Sequence, residues 1–241
     1  MSANHAAFNL IFRFVENYIS PIAGRISSQR HVMAIRDGFI SAMPFMIVGS
    51  FLLVFAYPPF SPDTTWGFAR AWLDLAKEFE GRILTPFDMT MGIMSIYICA
   101  AISYNLGKHY EKSNQLDPFM CAMLSIMAFL LIAAPKTNGT LPVDSLGGTG
   151  IFTAILVAIY CVEMMRFLKA HNIGIRLPDQ VPPMIKNSFD LLIPVLVVVL
   201  TLYPLSLFIQ HHFDMLIPQA IMAIFKPLVS AADSLPAILL A

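Results

Sequence analysis

The chain has 241 residues, of which 57% are hydrophobic and 12% charged, and its 15 basic and 15 acidic side chains give a net charge of zero. Charged residues make up about a quarter of a typical soluble domain, so this composition indicates a membrane protein. A net charge of zero argues against a nucleic-acid partner. The sequence also lacks GxxxxGK[ST] and GxGxxG, the glycine-rich strings that hold nucleotide phosphates.

Residues 1–36 are predicted to form a cytoplasmic amphipathic segment. Between residues 8 and 26, apolar side chains recur at helical spacing and polar side chains occupy the other face. This pattern predicts a helix at the membrane surface, which Pro21 should bend or break. The segment lacks the continuous apolar stretch of a cleavable signal peptide, so the first span is expected to serve as its own insertion signal.

Five segments are long and apolar enough to cross roughly 30 Å of hydrocarbon, which requires about 20 residues of helix. They are Gly38–Tyr57, Met89–Gly107, Pro118–Ala134, Gly150–Phe167 and Leu191–Ile209. The predicted fold is therefore an all-α polytopic membrane protein, with residues 37–210 forming a five-helix membrane domain.

Residues 66–80 predict a second amphipathic helix, between the first two spans. Four large apolar side chains share one face of it: Phe68, Trp72, Leu75 and Phe79. Charged side chains occupy the other face: Arg70, Asp74, Lys77 and Glu78. Such a helix lies in the headgroup plane or packs against a partner subunit, and the sequence does not separate the two.

Two aspartates stand where spans are predicted to begin. Asp88 is placed to cap the N-terminus of the second span. Asp117 precedes Pro118, and this pair is typical of a helix start with proline at the first helical position. Both are interpreted as structural.

Two acidic residues near the ends of spans are predicted to form ion pairs. Glu163 lies within one or two helical turns of Arg166 and Lys169, and Asp190 lies four residues after Lys186. Charges near hydrocarbon are costly unless they are paired, so both carboxylates are expected to have basic partners.

No catalytic residues, metal site or cofactor is predicted. Three cysteines fall in apolar segments and are expected to be buried hydrophobes: Cys99, Cys121 and Cys161. Six histidines lie in loops or at segment ends and are expected to be solvated: His5, His31, His109, His171, His211 and His212. No pair of carboxylates completes a metal site with the last two.

Residues 211–241 are predicted to be a connecting segment followed by the start of another membrane helix. A new apolar stretch begins at Leu235, and its seven residues are too few to cross a bilayer. The sequence is therefore expected to end inside a sixth membrane segment, as the N-terminal portion of a longer protein.

Basic residues in the loops predict that the N-terminus is cytoplasmic. With this orientation the cytoplasmic pieces carry ten of them: Arg13, Arg25, Arg30, Arg36, Lys108, Lys112, Arg166, Lys169, Arg176 and Lys186. The opposite side carries four: Arg70, Lys77, Arg82 and Lys136. The connection between the fourth and fifth spans is then cytoplasmic.

That connection carries a specific pattern of residues. The string IRLPDQVPPMIKNSFDLLIP, with HVMAIRDGFISAMPFMIVGSF and MGIMSIYICAAISYNLG earlier in the chain, resembles the enzyme IIC permeases of bacterial sugar phosphotransferase systems. The resemblance is greatest to their lactose/cellobiose/diacetylchitobiose branch and runs from about residue 8 to the end. The matching signature residues are Leu177, Pro178, Asp179, Val181, Pro182, Ser188, Phe189 and Pro194.

The resemblance implies a homodimeric permease in the bacterial plasma membrane that binds a β-linked disaccharide while a IIB protein, supplied by IIA, phosphorylates it. In such permeases the first five helices form the dimer, and a later half holds the sugar through GIHG-like and NEP-like motifs. Neither motif occurs in this sequence. The resemblance therefore implies a permease portion that is inactive alone, with a truncated, non-transporting dimerisation scaffold as the alternative.

Adjacent prolines at 182 and 183 restrict the backbone of the cytoplasmic connection, which we interpret as a brace between the dimer-forming and sugar-binding halves. Replacing both corresponding prolines with alanine in a full-length relative should reduce sugar uptake and leave membrane insertion intact. Uptake and the amount of inserted protein are measured on the same cells. Unchanged uptake would contradict the bracing role.

Overall fold

A computed structural model of the chain describes residues 20–135, 139–175, 182 and 189–232. These residues form eight α-helices: α1 Ser20–Ser27, α2 Arg30–Ala56, α3 Gly67–Thr90, α4 Met94–Asn114, α5 Pro118–Ala133, α6 Ile151–Ala170, α7 Leu192–Phe213 and α8 Ile217–Ala232. A short 3-10 helix, Gly148–Gly150, precedes α6. The described part is all-helical, as the sequence predicted.

Helix α4 lies at the centre of the bundle, packed against α2, α5 and α6. Its buried side chains recur along its whole length: Ser95, Ile98, Cys99, Ile102, Ser103, Leu106 and Tyr110. Helix α7 packs on α5 and α6, and α8 folds back against the start of α6, where Phe152 and Phe225 stack with ring centroids 4.4 Å apart. The core therefore lies between α4 and the helices that surround it.

Small residues allow the backbones of α2 and α4 to approach closely. Gly38, together with Ala34 and Ala42, forms the buried face of α2. A Cβ added at Gly38 would lie 2.9 Å from the backbone nitrogen of Ile102 and would also overlap that side chain. In hydrocarbon, where no hydrophobic force joins helices, such close van der Waals packing is a main source of association.

The predicted spans correspond to helices with shifted ends. In the described part of the chain, four helical segments are long and apolar enough to cross a membrane: Arg30–Ala56, Gly67–Asn114, Gly148–Ala170 and Leu192–Phe213. The predicted third span forms α5, which has 16 residues and is about 24 Å long at 1.5 Å per residue. The chain is thus a multi-pass membrane protein, and the number of five spans stays a prediction.

The predicted boundaries of the second span were wrong. Its first residues belong to the end of α3 and to a turn at residues 91–93, and α4 runs from Met94 to Asn114. Asp88 lies inside α3 and does not cap α4. The start of α4 is instead held by a loop from far along the chain, because Ser95 donates its backbone N–H to Leu146 O and its hydroxyl to Gly147 O.

The second amphipathic helix is longer than predicted. Helix α3 continues to Thr90, ten residues past the predicted end, and the added turns pack beside α2, with Thr90 against Gly49. Of the first amphipathic segment, the part before Ser20 lies outside the described residues, as do the predicted apolar stretch at 235–241 and its sixth span.

The predicted start of α5 is confirmed. The side chain of Asp117 accepts hydrogen bonds from the backbone nitrogens of Phe119, at 2.9 Å, and Met120, at 3.3 Å, and Pro118 occupies the first turn. A carboxylate at this position satisfies N–H groups that have no partner within the helix and also interacts favourably with the helix dipole.

Gly38→Ala should destabilise the chain by roughly 1–3 kcal/mol, because the added methyl group meets the backbone of α4 and separates the helices. The free energy of unfolding is measured by SDS titration in mixed micelles with circular dichroism. Gly81→Ala is the matched control: it lies within α3 with no atom within 4 Å of the added Cβ, and should stabilise by roughly 0.5–1 kcal/mol. Equal effects at the two positions would contradict the close packing.

Candidate functional site

Charged side chains gather at one end of the bundle, which we call the polar end. Here α2 begins, α4 and α6 end, and α7 begins, so helices distant in sequence bring their terminal residues together. Two clusters lie there, one around Glu163 and one around Lys169.

Glu163, on α6, is the centre of the first cluster. Its Oε1 accepts a hydrogen bond from the hydroxyl of Tyr110 at 2.6 Å and lies 2.9 Å from Nε2 of His31. Its Oε2 forms a salt bridge of 2.8 Å with Nη1 of Arg166, three residues along the same helix. One carboxylate thereby joins α2, α4 and α6.

Tyr110 is the buried member of the cluster, with 1% of its surface exposed. Its hydroxyl donates to Glu163 and accepts from Nη1 of Arg166 at 2.8 Å. The guanidinium carbons of Arg166 and Arg30 lie 4.9 Å and 5.2 Å from the centroid of its ring. These distances are within the range of cation–π attraction, so the tyrosine contacts both arginines through its ring.

Lys169 is the centre of the second cluster. Its Nζ donates to the backbone carbonyl of Gln115 at 2.7 Å and lies 3.4 Å from Oδ2 of Asp190. Gln115 follows α4 in the left-handed conformation, with φ of 55°, and its carbonyl is not part of a helix. The lysine therefore joins the ends of α4 and α6 to the residues just before α7.

A cavity of about 300 Å³ opens beside Lys169. Polar side chains of three connections line it, including Asn114, Asn172 and Asp190, and Pro194 contributes apolar surface. The cavity lining contains both hydrogen-bond donors and acceptors.

Most of the predicted signature residues lie outside the described residues: Leu177, Pro178, Asp179, Val181 and Ser188. Pro182 and Phe189 are exposed, whereas Pro194 is buried in the first turn of α7. Of the described members, Pro194 lines the same cavity as Lys169 at the polar end.

The sequence predicted some of these contacts and missed others. The Glu163–Arg166 pair is confirmed. The expected partner of Asp190, Lys186, lies outside the described residues, and the structure shows Lys169 beside Asp190. The sequence did not predict that His31 contacts a carboxylate 132 residues away, because no local spacing reports such a contact.

Metal binding finds no support in the part of the chain that the structure describes. No group of three histidine, cysteine, aspartate or glutamate side chains in it is arranged to hold an ion. The rings of His211 and His212 contact each other at right angles, and Nδ1 of His212 lies 3.1 Å from the carbonyl of Phe208. The polar end therefore contains ion pairs and hydrogen bonds, which position helices and line a cavity.

Comparisons with known proteins agree in sequence and in fold. The family model described as Phosphotransferase system, EIIC matches residues 36–241. The cellobiose-specific EIIC component of Geobacillus stearothermophilus is 35% identical over 206 residues, covering 78% of this chain and 43% of that protein. The lactose-specific EIICB component of Streptococcus mutans is 33% identical over 219 residues, covering 88% of this chain and 37% of that protein.

A solved structure is similar over most of the chain. The crystal structure of the transporter ChbC, the IIC component from the N,N'-diacetylchitobiose-specific phosphotransferase system, superposes with a TM-score of 0.75 at 31% sequence identity. The match covers 91% of this chain and 52% of that chain. This chain therefore spans less than half the length of the curated relatives above and about half of this structure.

Tyr110→Phe should lower the free energy of unfolding by roughly 1–2 kcal/mol, because Glu163 loses a donor and Arg166 loses an acceptor in a partly buried setting. The matched control is Tyr104→Phe on the same helix, where the side chain is 45% exposed, and it should change stability by less than about 0.5 kcal/mol. SDS titration of both variants provides the measurement. Similar losses for the two variants would show that the cluster does not stabilise the bundle.

Proposed function

The chain belongs to the phosphotransferase system EIIC family, and on this premise we propose that it is part of a permease that translocates a β-linked disaccharide of the cellobiose or diacetylchitobiose type. The observation that carries the proposal is the joint agreement in sequence and fold with a diacetylchitobiose-specific IIC component over nine-tenths of the chain. The relatives named for cellobiose and lactose support the same class of sugar.

The chain supplies transport, and its partners supply the phosphoryl group. A IIB protein, itself supplied by IIA, phosphorylates the sugar at the cytoplasmic face, and relatives named EIICB support a close association with the B component. The cysteines of this chain support the proposal that phosphoryl transfer takes place on a partner, since all three are free and buried: Cys99, Cys121 and Cys161. A thiol that accepts a phosphoryl group must be accessible as a thiolate, which burial opposes.

The orientation is part of the proposal: the polar end and the N-terminus lie in the cytoplasm. Arg30, Arg36, Arg166 and Lys169 are all at the polar end, and a concentration of basic residues is typical of cytoplasmic loops. The cavity beside Lys169 and the signature segment then face the side where IIB acts. The membrane is the plasma membrane of a bacterium.

A second part of the permease is required for uptake in this proposal. The chain matches less than half of the cellobiose relative, and the GIHG-like and NEP-like motifs implied by the resemblance are not in its sequence. Residues 37–210 form the dimer-forming membrane domain, preceded by residues 1–36 and followed by the connecting segment 211–241. Exposed apolar faces on α2 and α7 support contact with lipid and with a second copy.

The alternative is a membrane scaffold that dimerises and never transports. The scaffold and the permease portion would have the same five-helix domain, so their structures do not distinguish them. A measurement of transport does. The decisive difference is whether this chain supports uptake once the missing half is provided.

Co-expression with the remaining C-terminal part of the cellobiose relative should restore uptake of labelled cellobiose in a bacterial strain that lacks its own EIIC but makes IIA and IIB. The chain alone and the C-terminal part alone should give no uptake. Uptake by this chain alone would contradict the need for a second half. Co-insertion of both parts without uptake of cellobiose, lactose or diacetylchitobiose would favour the scaffold.

A further inference from the structure

Five aromatic side chains meet where α2 ends and α3 begins, at the opposite end of α2 from the polar end. We call them the aromatic cluster: Phe55, Phe60, Trp66, Phe68 and Trp72. Each ring has at least one neighbour in the set, with centroids 5.6–5.9 Å apart. Nε1 of Trp72 also donates to the carbonyl of Phe55 at 3.2 Å, which joins α3 to the last turn of α2. The cluster is thus a fixed part of the fold.

The aromatic cluster is exposed, although its rings contact each other. Trp66 and Phe68 are each 60% exposed and Phe55 is 56% exposed, so the cluster is not the core of a small domain. A contiguous set of exposed large aromatic side chains in a folded chain marks a surface that something else covers.

The length of α2 places the aromatic cluster at a membrane–water boundary. Arg36 and Asp37 are the last charged residues of α2, and only uncharged residues follow to Ala56. Phe55 lies about 28 Å along the helix from Arg36 at 1.5 Å per residue. This is close to the roughly 30 Å thickness of the hydrocarbon core, so the cluster lies where hydrocarbon gives way to headgroups.

The chemistry of the cluster fits this depth. Tryptophan is favoured at the headgroup level because its ring is apolar and its N–H is polar. Polar contacts of the same two segments lie nearby: Tyr57 donates to Glu80 at 2.9 Å, and Nε of Arg70 donates to the carbonyl of Thr64 at 2.8 Å. Such groups require water or headgroups, and the rings beside them require an apolar phase.

The aromatic cluster is also continuous with an exposed apolar surface that descends along α2. Phe51 is 62% exposed one turn before Phe55, and Val48 and Ile47 are exposed one turn further down. Lipid chains are fluid, so they can cover a long apolar surface of this kind without a partner of matching shape. On α3, the charged face holds both signs, with Arg70 and Lys77 beside Asp74 and Glu78, and such a polar face suits the headgroup region.

We propose that the aromatic cluster is an interfacial anchor, which binds the headgroup region of the leaflet opposite the polar end and sets the depth of α2 and α3 in the bilayer. For residues 66–80, the anchor favours the headgroup plane over a partner subunit. The anchor requires that the chain inserts in a membrane, and the test below measures that insertion without measuring transport.

The protein itself contains the required probe, since Trp66 and Trp72 are its two tryptophans. The unmodified chain is reconstituted in phosphatidylcholine vesicles that carry bromine on the acyl chains near the headgroup, midway or near the terminal methyl. Tryptophan emission should lose most intensity with the shallowest bromine and progressively less with deeper ones. Trp66→Phe and Trp72→Phe, each alone, show that both residues report the same depth.

A matched control calibrates the depth scale. Leu200→Trp, combined with W66F and W72F, places one tryptophan near the middle of α7, where the side chain is 63% exposed. Its emission should be lost most with the deepest bromine. Circular dichroism of this variant confirms that it retains its helices.

Three results would overturn the anchor. Strongest quenching of the native tryptophans by the deepest bromine would place the cluster inside the hydrocarbon. Quenching by aqueous acrylamide without any effect of brominated lipid would place it in water. Protection from both quenchers would mean that protein, such as a second copy of the chain, covers it. Each result is obtained whether or not the chain takes part in sugar uptake.

Discussion

Close contact between helix backbones at α4 is the constraint on which the rest of the bundle depends. Hydrocarbon provides no hydrophobic force between helices, so their association relies on van der Waals contact and on a few polar bonds. Gly38 supplies the contact between α2 and α4, since nothing larger fits against the backbone at Ile102. Once α2 lies there, its first residues reach the end of α6, and its last residues reach α3.

Polar contacts then hold both ends of α4. At the polar end, Glu163 connects α2, α4 and α6 through His31, Tyr110 and Arg166, and at the other end Ser95 bonds to the loop before α6. A partly buried carboxylate is stable only when it has partners, so these contacts specify how the helices are arranged as much as they stabilise them. These contacts hold the polar end together, and the aromatic cluster lies at the opposite end of α2.

The described helices combine polar groups at one end with apolar faces along their sides. The chain belongs to the phosphotransferase system EIIC family, and its described part has a cavity at the polar end and broad apolar faces. Among the described residues no group of three histidine, cysteine or carboxylate side chains is arranged to hold a metal ion, and the three cysteines are buried. The described polar contacts are positional: ion pairs and hydrogen bonds hold the ends of α2, α4 and α6 together.

Sequence by itself determined the helical class, the approximate positions of the apolar helices, the start of α5 at Asp117 and the ion pair of Glu163 with Arg166, because these depend on hydropathy and on neighbours within one or two helical turns. Tertiary structure alone decided that α4 begins at Met94, that His31 reaches Glu163 and that Lys169 lies beside Asp190. These contacts join residues distant in sequence. They depend on how the helices pack, and no periodicity within one helix records its neighbours.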